Sequence, residues 1–375
     1  GPNLHASCSS MASLSKRPPD AGRLAVRGAM DAASAVALYL AGLSQKGETQ
    51  ARLGLGRGEF RALLEELSLA DCELTPVDVD PSLRVTFLDT RTCKYEDPTF
   101  DGAIEAMAAA RYAPPAWRIP ARVILEGSTE PDTQAPASII LHVGRCGSTL
   151  LCNLLANSGG WTALREPEFL NKLILARTAA MREDEKVRID ALTERLFACL
   201  ARGDRRRRRA VKLSSWTAAP AADRLARSGV NRFVGLLRDP SAAVASFLEQ
   251  PPYWAGDSGS AGKENNVRLF ARAWLSAAET MLRLPRAQCL LLRYEEMVDN
   301  PFGVLRRVRL HFGDTRPLGS EAKIMDALAS YSKGRSGERF EPSGQHRRMV
   351  LEPRLQRIVA EITAPVWRAV RRRLD

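Results

Sequence analysis

The chain has 375 residues, of which 45% are hydrophobic and 26% charged, and its formal net charge is +12. This length accommodates one large α/β domain with an appendage, or two domains, and the composition excludes a fibrous or wholly disordered protein. The excess of positive charge favours an anionic partner, such as a nucleotide, an acidic substrate, nucleic acid or a membrane surface.

The first third of the chain contains no motif of identifiable chemistry. Residues 1–22 are polar and rich in Ser, Pro and Gly, which predicts disorder. Residues 23–136 form a predicted accessory region, with helices near 31–43, 58–69 and 102–111 and a strand at 83–88. Prolines and glycines between 114 and 136 are typical of a linker. We therefore expect a mainly helical appendage, followed by the principal α/β domain at residues 137–375.

The segment Ser138–Leu151, SIILHVGRCGSTLL, predicts a strand, a turn and a helix in direct succession. The apolar run at 139–143 indicates a buried strand, and leucines recur at helical spacing after Ser148. Gly144 and Gly147 permit the unusual backbone angles of a tight turn and let a phosphate come close. The helix N-terminus, the guanidinium of Arg145 and the hydroxyls that follow it all favour an anion. The sequence therefore predicts a phosphate-binding loop.

This loop differs from the nucleotide-hydrolase pattern G-x-x-x-x-G-K-[ST], in which a lysine reaches the outer phosphates and Ser or Thr holds Mg²⁺. No lysine occurs here, and the cation is Arg145, before the second glycine. Such a loop suits a nucleotide whose 5′-phosphate is bound without a metal. Cys146 could alternatively act as a nucleophile if its surroundings favoured the thiolate.

Strands predicted at 161–164, 210–214, 232–237 and 288–293 alternate with helices after the loop. This alternation indicates a parallel, doubly wound sheet whose ligands bind at the carboxyl ends of the strands. Charged or polar side chains at or near those ends are expected to share one site. They are Arg145, Glu166, Lys212, Arg238 and Tyr294.

A second phosphate-binding motif is predicted where Arg238 ends a strand and Ser246 follows eight residues later in the next helix. The alternative interpretation is an ordinary helix start, with Asp239 or Ser241 as the cap and Pro240 in the first turn.

Two basic segments allow both a functional and an ordinary interpretation. The segment 331–339 interleaves cations with Gly and Ser, and it is either a loop that closes over phosphates or a solvated surface loop. The arginine run at 205–209 is typical of a solvated loop, and the alternative is a patch that binds an acidic substrate or nucleic acid. The run contains no aromatic residues, which argues against nucleic-acid binding.

In their order along the chain, these motifs resemble those of the sulfotransferase superfamily, whose members use 3′-phosphoadenosine 5′-phosphosulfate (PAPS). The resemblance covers about residues 138–340. It includes the loop with Arg145, Lys212, Arg238 with Ser246, the segment 293–296 and the loop at 333–339. The cytosolic branch carries lysine in place of Arg145, whereas bacterial and Golgi protein-modifying branches more often carry arginine. The resemblance implies a P-loop-type, three-layer α/β fold.

The resemblance also implies which residues bind PAPS and its product, 3′,5′-adenosine bisphosphate (PAP). The loop would hold the 5′-phosphosulfate, Arg238 and Ser246 the 3′-phosphate, and residues 333–335 the 3′-phosphate and adenine. Trp216 and Trp274 could stack on adenine or pack in the core. The implied cofactor-binding residues are Arg145, Cys146, Gly147, Ser148, Thr149, Leu150, Arg238, Ser246, Lys333, Gly334 and Arg335.

Sulfuryl transfer to a hydroxyl or amine needs a base for the acceptor proton and cations that stabilise charge on the bridging oxygen. Lys212 and Arg145 are the predicted cations. The cytosolic branch places a histidine base two residues after the strand lysine, where this chain has Ser214. Glu166 stands where the tyrosylprotein branch carries a glutamate base, and it is the predicted base here. The reserve candidates are Glu168 and His142.

The predicted activity is sulfuryl transfer from PAPS to a small-molecule acceptor, and an acidic acceptor would suit the positive charge. A P-loop kinase and a non-catalytic nucleotide or nucleic-acid binding module are the alternatives. Seven scattered cysteines without a C-x-x-C pair, together with only four histidines, predict reduced thiols and no metal site. No apolar stretch is long enough to span a bilayer, so a cytoplasmic protein without membrane or nucleic-acid partners is expected. Its oligomeric state is left open.

Overall fold

The structure, a computed structural model, describes residues 32–66, 69, 72–97, 99–110, 116–127, 138–201, 207–227, 230–252, 262–330 and 350–374. The strands are β1 (Leu74–Val79), β2 (Arg84–Asp89), β3 (Ala116–Pro120), β4 (Ser138–His142), β5 (Trp161–Arg165), β6 (Arg208–Lys212), β7 (Arg232–Leu237) and β8 (Cys289–Arg293). The helices are α1 (Ala32–Leu40), α2 (Lys46–Leu53), α3 (Arg57–Glu66), α4 (Phe100–Ala109), α5 (Ala121–Gly127), α6 (Ser148–Asn157), α7 (Glu168–Ala179), α8 (Glu183–Ala201), α9 (Ala218–Arg227), α10 (Pro240–Glu249), α11 (Lys263–Arg283), α12 (Tyr294–Asp299), α13 (Pro301–His311), α14 (Glu321–Ala329) and α15 (Pro353–Leu374).

The chain divides into two compact units. The first unit contains residues 3–135 and 167–206, and the second unit contains residues 136–166 and 207–375. Helices α7 and α8 therefore group with the N-terminal residues, although they follow β5 in the chain. The predicted domain division at residues 136 and 137 stays a prediction.

The first unit is mainly helical and also contains an antiparallel sheet in the order β1-β2-β3. The sequence pattern revealed β2 but neither of its neighbours. The expectation of a linker is wrong for residues 116–127, because β3 and α5 occupy them. Pro120 is the last residue of β3, and an edge strand tolerates a residue that cannot donate a ladder hydrogen bond.

The second unit is built on a five-stranded parallel sheet in the order β5-β6-β4-β7-β8. Strand β4 lies in the centre, and all five of its residues are buried. After β4 the chain forms β5 and β6 on one side of it, and then β7 and β8 on the other side. With right-handed crossovers, this change of direction places helices on both faces of the sheet. This arrangement confirms the predicted three-layer, doubly wound α/β fold. Each of its five strands agrees with the prediction to within two residues.

Strand β6 begins two residues earlier than predicted, at Arg208, and includes part of the arginine run. Arg209 is buried, and burial lowers the pKa of its guanidinium to about 10. The guanidinium of Arg208 lies 6.0 Å from the ring centroid of Trp161, and its Nη1 donates to the carbonyl of Phe312 at 3.0 Å. Both residues belong to β6, so the interpretation as a loop is wrong for them, although Arg208 is exposed to solvent.

Helices α10, α11 and α15 share a hydrophobic core that fixes the position of α10. Phe247 stacks on Phe270 with ring centroids 4.9 Å apart, and Val359 of α15 belongs to the same buried cluster. Because Phe247 directly follows Ser246, this packing holds Ser246 at a defined place. None of the helices in the described part of the chain is long and apolar enough to cross a membrane.

Candidate active site

The turn after β4 has the backbone geometry of an anion-binding loop. Gly144, Arg145 and Gly147 all have positive φ, at 77°, 51° and 77°. A Cβ on Gly147 would lie 2.6 Å and 2.7 Å from two ring carbons of Tyr294, so close packing as well as conformation requires glycine there. Gly147 precedes α6 without a side-chain cap. The first-turn N–H groups of α6 can therefore be directed at an external anion.

The side chains around this turn divide into polar groups and buried apolar ones. Helix α6 begins at Ser148, as predicted, and the hydroxyl of Thr149 accepts a hydrogen bond from Lys212 Nζ at 3.3 Å. The side chains of Cys146 and Leu150 are buried. A contribution of these two residues to anion binding would come from the backbone, and the burial of Cys146 argues against a nucleophilic role.

Arg145 connects the turn to helix α10. Its Nε donates to Ser246 Oγ at 3.1 Å and to the Ser246 carbonyl at 3.2 Å. Its Nη2 donates to Gln250 Oε1 at 2.6 Å. The structure thus brings together two residues that the sequence placed in separate motifs. Gln250 was not predicted, and its place one helical turn after Ser246 is the sequence signal that could have found it.

Arg238 is buried between the turn and the start of α12. Its Nη1 donates to the carbonyl oxygen of Arg145 at 2.7 Å, and its guanidinium carbon lies 4.8 Å from the ring centroid of Tyr294. The indole Nε1 of Trp274 donates to the Arg238 carbonyl at 3.1 Å. Trp274 is itself buried, so its position agrees with the expectation of core packing.

The alternative interpretation of the second motif also describes part of the structure. Asp239 is the N-cap of α10, its carboxylate accepts from the N–H of Ala242 at 3.0 Å, and Pro240 occupies the first turn. Arg238 lies just before this cap and contacts the turn after β4. The segment therefore serves both as a capped helix start and as the support of a cation at the predicted site.

Glu166, Lys212 and His142 form a polar cluster at the carboxyl ends of three neighbouring strands. Glu166 Oε1 is ion-paired with Lys212 Nζ and lies 3.5 Å from His142 Nε2. Ser214 Oγ donates to Glu166 Oε2 at 3.4 Å. The N–H of Glu166 donates to the carbonyl of Lys212 at 2.8 Å, and Glu166 holds a positive φ of 54°. A non-glycine residue in this conformation is strained by about 1–2 kcal/mol.

The electrostatics of this cluster keep the carboxylate ionised. Burial raises the pKa of Glu166, but the positive charge of Lys212 and the contact with His142 outweigh it and hold the pKa below its ordinary value of 4.5. The side chain of Lys212 is 3% exposed, whereas that of Glu166 is 33% exposed. The carboxylate thus presents an accessible, deprotonated oxygen beside a buried cation.

The remaining predicted site residues lie elsewhere or beyond the described ranges. Glu168 belongs to α7 in the first unit, where its carboxylate accepts from Asn171 Nδ2 at 2.8 Å. Trp216 is half-buried in the turn after β6. Lys333, Gly334 and Arg335 lie outside the described residues, so their role stays a prediction.

The donor set of this site suits a ligand with two anionic groups. An uncapped helix N-terminus, two hydroxyls and Lys212 lie beside the turn, while Arg145, Arg238 and Ser246 lie between the turn and α10. These groups donate hydrogen bonds or carry positive charge, as phosphate and sulfate oxygens require. Within the described ranges, no cluster of three or more His, Cys, Asp or Glu residues could hold a metal ion.

The sequence comparisons identify one family over part of the chain. A model of the sulfotransferase family matches residues 191–315, a segment that contains Lys212, Arg238 and Ser246. This match confirms the resemblance that the motifs indicated. No curated protein matches the chain in sequence.

Several solved structures are similar to the chain at low sequence identity. The sulfotransferase domain from the curacin biosynthetic pathway is 16% identical, with a TM-score of 0.44 over 62% of this chain and 98% of that domain. Sulfotransferase STF9 from Mycobacterium avium is 13% identical, with a TM-score of 0.39 over 88% and 95%. A mouse sulfotransferase complexed with PAP is 13% identical, with a TM-score of 0.39 over 64% and 88%. At these scores, no residue role is transferred from these structures.

Proposed function

A model of the sulfotransferase family matches residues 191–315, and we propose that the chain transfers the sulfuryl group of PAPS to a hydroxyl or amine of a small-molecule acceptor. The observation that carries this proposal is the position of Lys212, which contacts both Thr149 beside the turn and the carboxylate of Glu166. A buried cation between an anion-binding helix terminus and an ionised carboxylate places a charge stabiliser beside a base. Sulfuryl transfer requires both of these.

The donor set supports PAPS as the cofactor. When bound, PAPS would supply the sulfuryl group, and PAP would remain. Arg238 and Ser246 would hold the 3′-phosphate, while the turn and the first residues of α6 would hold the 5′-phosphosulfate. The hydrogen bonds of Arg145 with Ser246 and Arg238 connect these two sets of ligands, so the spacing between the two anionic groups is set by the protein.

Glu166 is the proposed general base. Its carboxylate is deprotonated and one-third exposed, so it can accept the proton that the acceptor loses as the new bond to sulfur forms. Lys212 would stabilise the negative charge that develops on the departing bridging oxygen, and Arg145 would add its charge at the turn. The six described cysteines are free thiols, which supports the cytoplasm as the proposed location.

The test measures two transfers in parallel with the purified protein. Sulfur-labelled PAPS and terminally phosphorus-labelled ATP with Mg²⁺ are each incubated with a panel of phenols, alcohols, amines and their acidic derivatives. We expect label from PAPS to appear on at least one acceptor class, and none from ATP. Transfer of phosphorus from ATP without transfer of sulfur would contradict the proposal and support the kinase alternative.

A pair of matched variants tests the assignment of the base. Glu166→Gln removes the proposed base. Glu168→Gln makes the same chemical change two residues later in the chain, at a glutamate of the first unit. We expect sulfur transfer to fail in Glu166→Gln and to persist in Glu168→Gln. The reverse pattern would assign the base to Glu168.

A further inference from the structure

His142 contacts both the turn and the proposed base. It is the last residue of β4, and its imidazole is buried. Its Nδ1 accepts a hydrogen bond from the backbone N–H of Gly144 at 3.0 Å. Its Nε2 lies 3.5 Å from Glu166 Oε1, on the other side of the ring. The two ring nitrogens therefore face two different parts of the site.

The contact with Gly144 determines the tautomer of the ring. A backbone N–H can donate only to an unprotonated ring nitrogen, so Nδ1 carries no proton. A neutral imidazole then carries its proton on Nε2, the nitrogen that faces Glu166. In this state the ring donates toward the carboxylate and has no lone pair available for an acceptor proton. This geometry therefore favours Glu166 over His142 as the base.

The charged groups around the ring are consistent with this assignment. Glu166, the residue that follows β5, faces Nε2. Lys212, at the end of β6, contacts the same carboxylate. The carboxylate thus contacts Lys212 and His142 through one oxygen and Ser214 through the other. The distance of 3.5 Å is long for a hydrogen bond, but such contacts in ligand-free enzymes often shorten when the ligand binds.

We propose that His142 is a positioning residue that couples the turn to the carboxylate of Glu166. One nitrogen holds the N–H of Gly144 and the other orients Oε1, so a shift of the turn on anion binding moves the base as well. The inference rests on the proposed role of Glu166. In this arrangement, one rigid ring contacts both the turn that would bind the cofactor and the carboxylate that would act as the base.

Two isosteric variants separate the two contacts of the ring. The amide oxygen of His142→Asn lies near the position of Nδ1, so this variant retains an acceptor for Gly144 and loses the contact with Glu166. The amide N–H of His142→Gln lies near the position of Nε2, so this variant retains the donor to Glu166 and loses the acceptor for Gly144. A purely structural histidine would tolerate or reject both substitutions alike.

The variants are compared by PAP affinity and by the pH dependence of sulfur transfer to an acceptor selected from the panel described above. We expect His142→Asn to bind PAP within about twofold of wild type and to transfer about 10- to 100-fold more slowly. The acidic limb of its pH–rate profile moves to higher pH, because a donor to the carboxylate is lost. His142→Gln keeps the acidic limb and binds PAP about 2- to 10-fold more weakly. The same loss in both variants, without a shift of the acidic limb, would overturn the proposal.

Nitrogen NMR of the histidine rings in the wild-type protein tests the inference without an activity assay. The chain has four histidines, so the signals of His142 can be assigned by their absence from the two variants. We expect the neutral tautomer with the proton on Nε2 near neutral pH, and a change of its signals when PAP binds. A ring protonated on Nδ1, or ring signals that do not change although PAP binds, would overturn the inference. Failure of PAP to bind would instead contradict the proposed function, and the tautomer would still be readable.

Discussion

A carboxylate cluster lies at each end of strand β5, and the two clusters differ in how far the carboxylate is exposed to solvent. At its amino end, the side chain of Asp314 is 1% exposed. It accepts hydrogen bonds from Trp161 Nε1 at 2.8 Å, Arg309 Nε at 2.9 Å and Arg316 Nε at 2.7 Å. At its carboxyl end, the side chain of Glu166 is 33% exposed and held on a strained backbone. A closed cluster stabilises the fold, whereas an open one can act on a ligand.

The electrostatics of the two carboxylates do not distinguish them. Burial raises the pKa of Asp314, but hydrogen bonds from Arg316, Trp161 and Arg309 outweigh it and hold the pKa below its ordinary value of 3.8. The pKa of Glu166 is also held below its ordinary value, because its contacts with Lys212 and His142 outweigh the effect of burial. A shifted pKa therefore does not identify an active site by itself. Exposure, backbone strain and an adjacent turn that leads into an uncapped helix N-terminus make the difference here.

The largest expected effect is on transfer in Glu166→Gln. Loss of a general base lowers the rate by about 100- to 10,000-fold, while the amide leaves the fold in place. Steady-state transfer with PAPS, together with urea unfolding of the same preparation, measures both properties. A large loss of stability with little loss of rate would make Glu166 a structural residue like Asp314.

The opposite result is expected for Asp314→Asn. Removing this charge leaves the buried guanidinium of Arg309 without its counterion, which costs about 3–5 kcal/mol of unfolding free energy. PAP affinity remains within about twofold of wild type, because the cluster lies at the other end of the sheet. Denaturant unfolding and calorimetry measure the two quantities. A loss of PAP affinity at unchanged stability would remove the contrast between the clusters.

A smaller effect is expected when the turn itself is altered in Gly147→Ala. Alanine at a φ of 77° costs about 1–2 kcal/mol, and its Cβ would collide with the ring of Tyr294. We expect PAP affinity to fall about tenfold, with a modest loss of stability. Gly58→Ala is the matched control, since nothing lies within 4 Å of a Cβ there. Equal effects of the two substitutions would show that the turn has no special requirement.

The smallest effect concerns the acid side of the stability curve. Because the pKa of Asp314 is depressed in the folded state, its contribution is complete above the ordinary value of 3.8 and is lost as the pH falls below it. Wild type should therefore lose about 1 kcal/mol more than Asp314→Asn over the first pH unit below about 4. Urea unfolding over a pH series measures this difference. Parallel curves for the two proteins would contradict the assignment.

Much of the second unit could be predicted, because its signals are local in the sequence. Apolar runs, glycines and leucine spacing define β4, the turn and α6, and parallel topology places Lys212 and Arg238 at strand ends. Strand β1 was missed because Pro76 interrupts its pattern. The structure accommodates this proline beside an irregularity in the pairing of an edge strand.

The contacts that define the site could not be predicted in the same way. Trp161 and Asp314 are 153 residues apart in the chain, and Arg145 and Gln250 are 105 residues apart. Such side-chain pairs depend on how distant elements pack, which local periodicity does not encode. The tautomer of His142 depends on a hydrogen bond to a backbone group whose direction only the folded turn sets.

The most direct test of the account is calorimetric titration of PAP, without metal, into wild type and three variants. Arg238→Ala removes a proposed 3′-phosphate ligand, Arg232→Ala removes an arginine from the amino end of the same strand, and Asp314→Asn opens the closed cluster. We predict micromolar binding to wild type, Arg232→Ala and Asp314→Asn, and a loss of about 10- to 100-fold in Arg238→Ala. Equal affinity in all four proteins, or binding of ATP with Mg²⁺ in preference to PAP, would contradict the account.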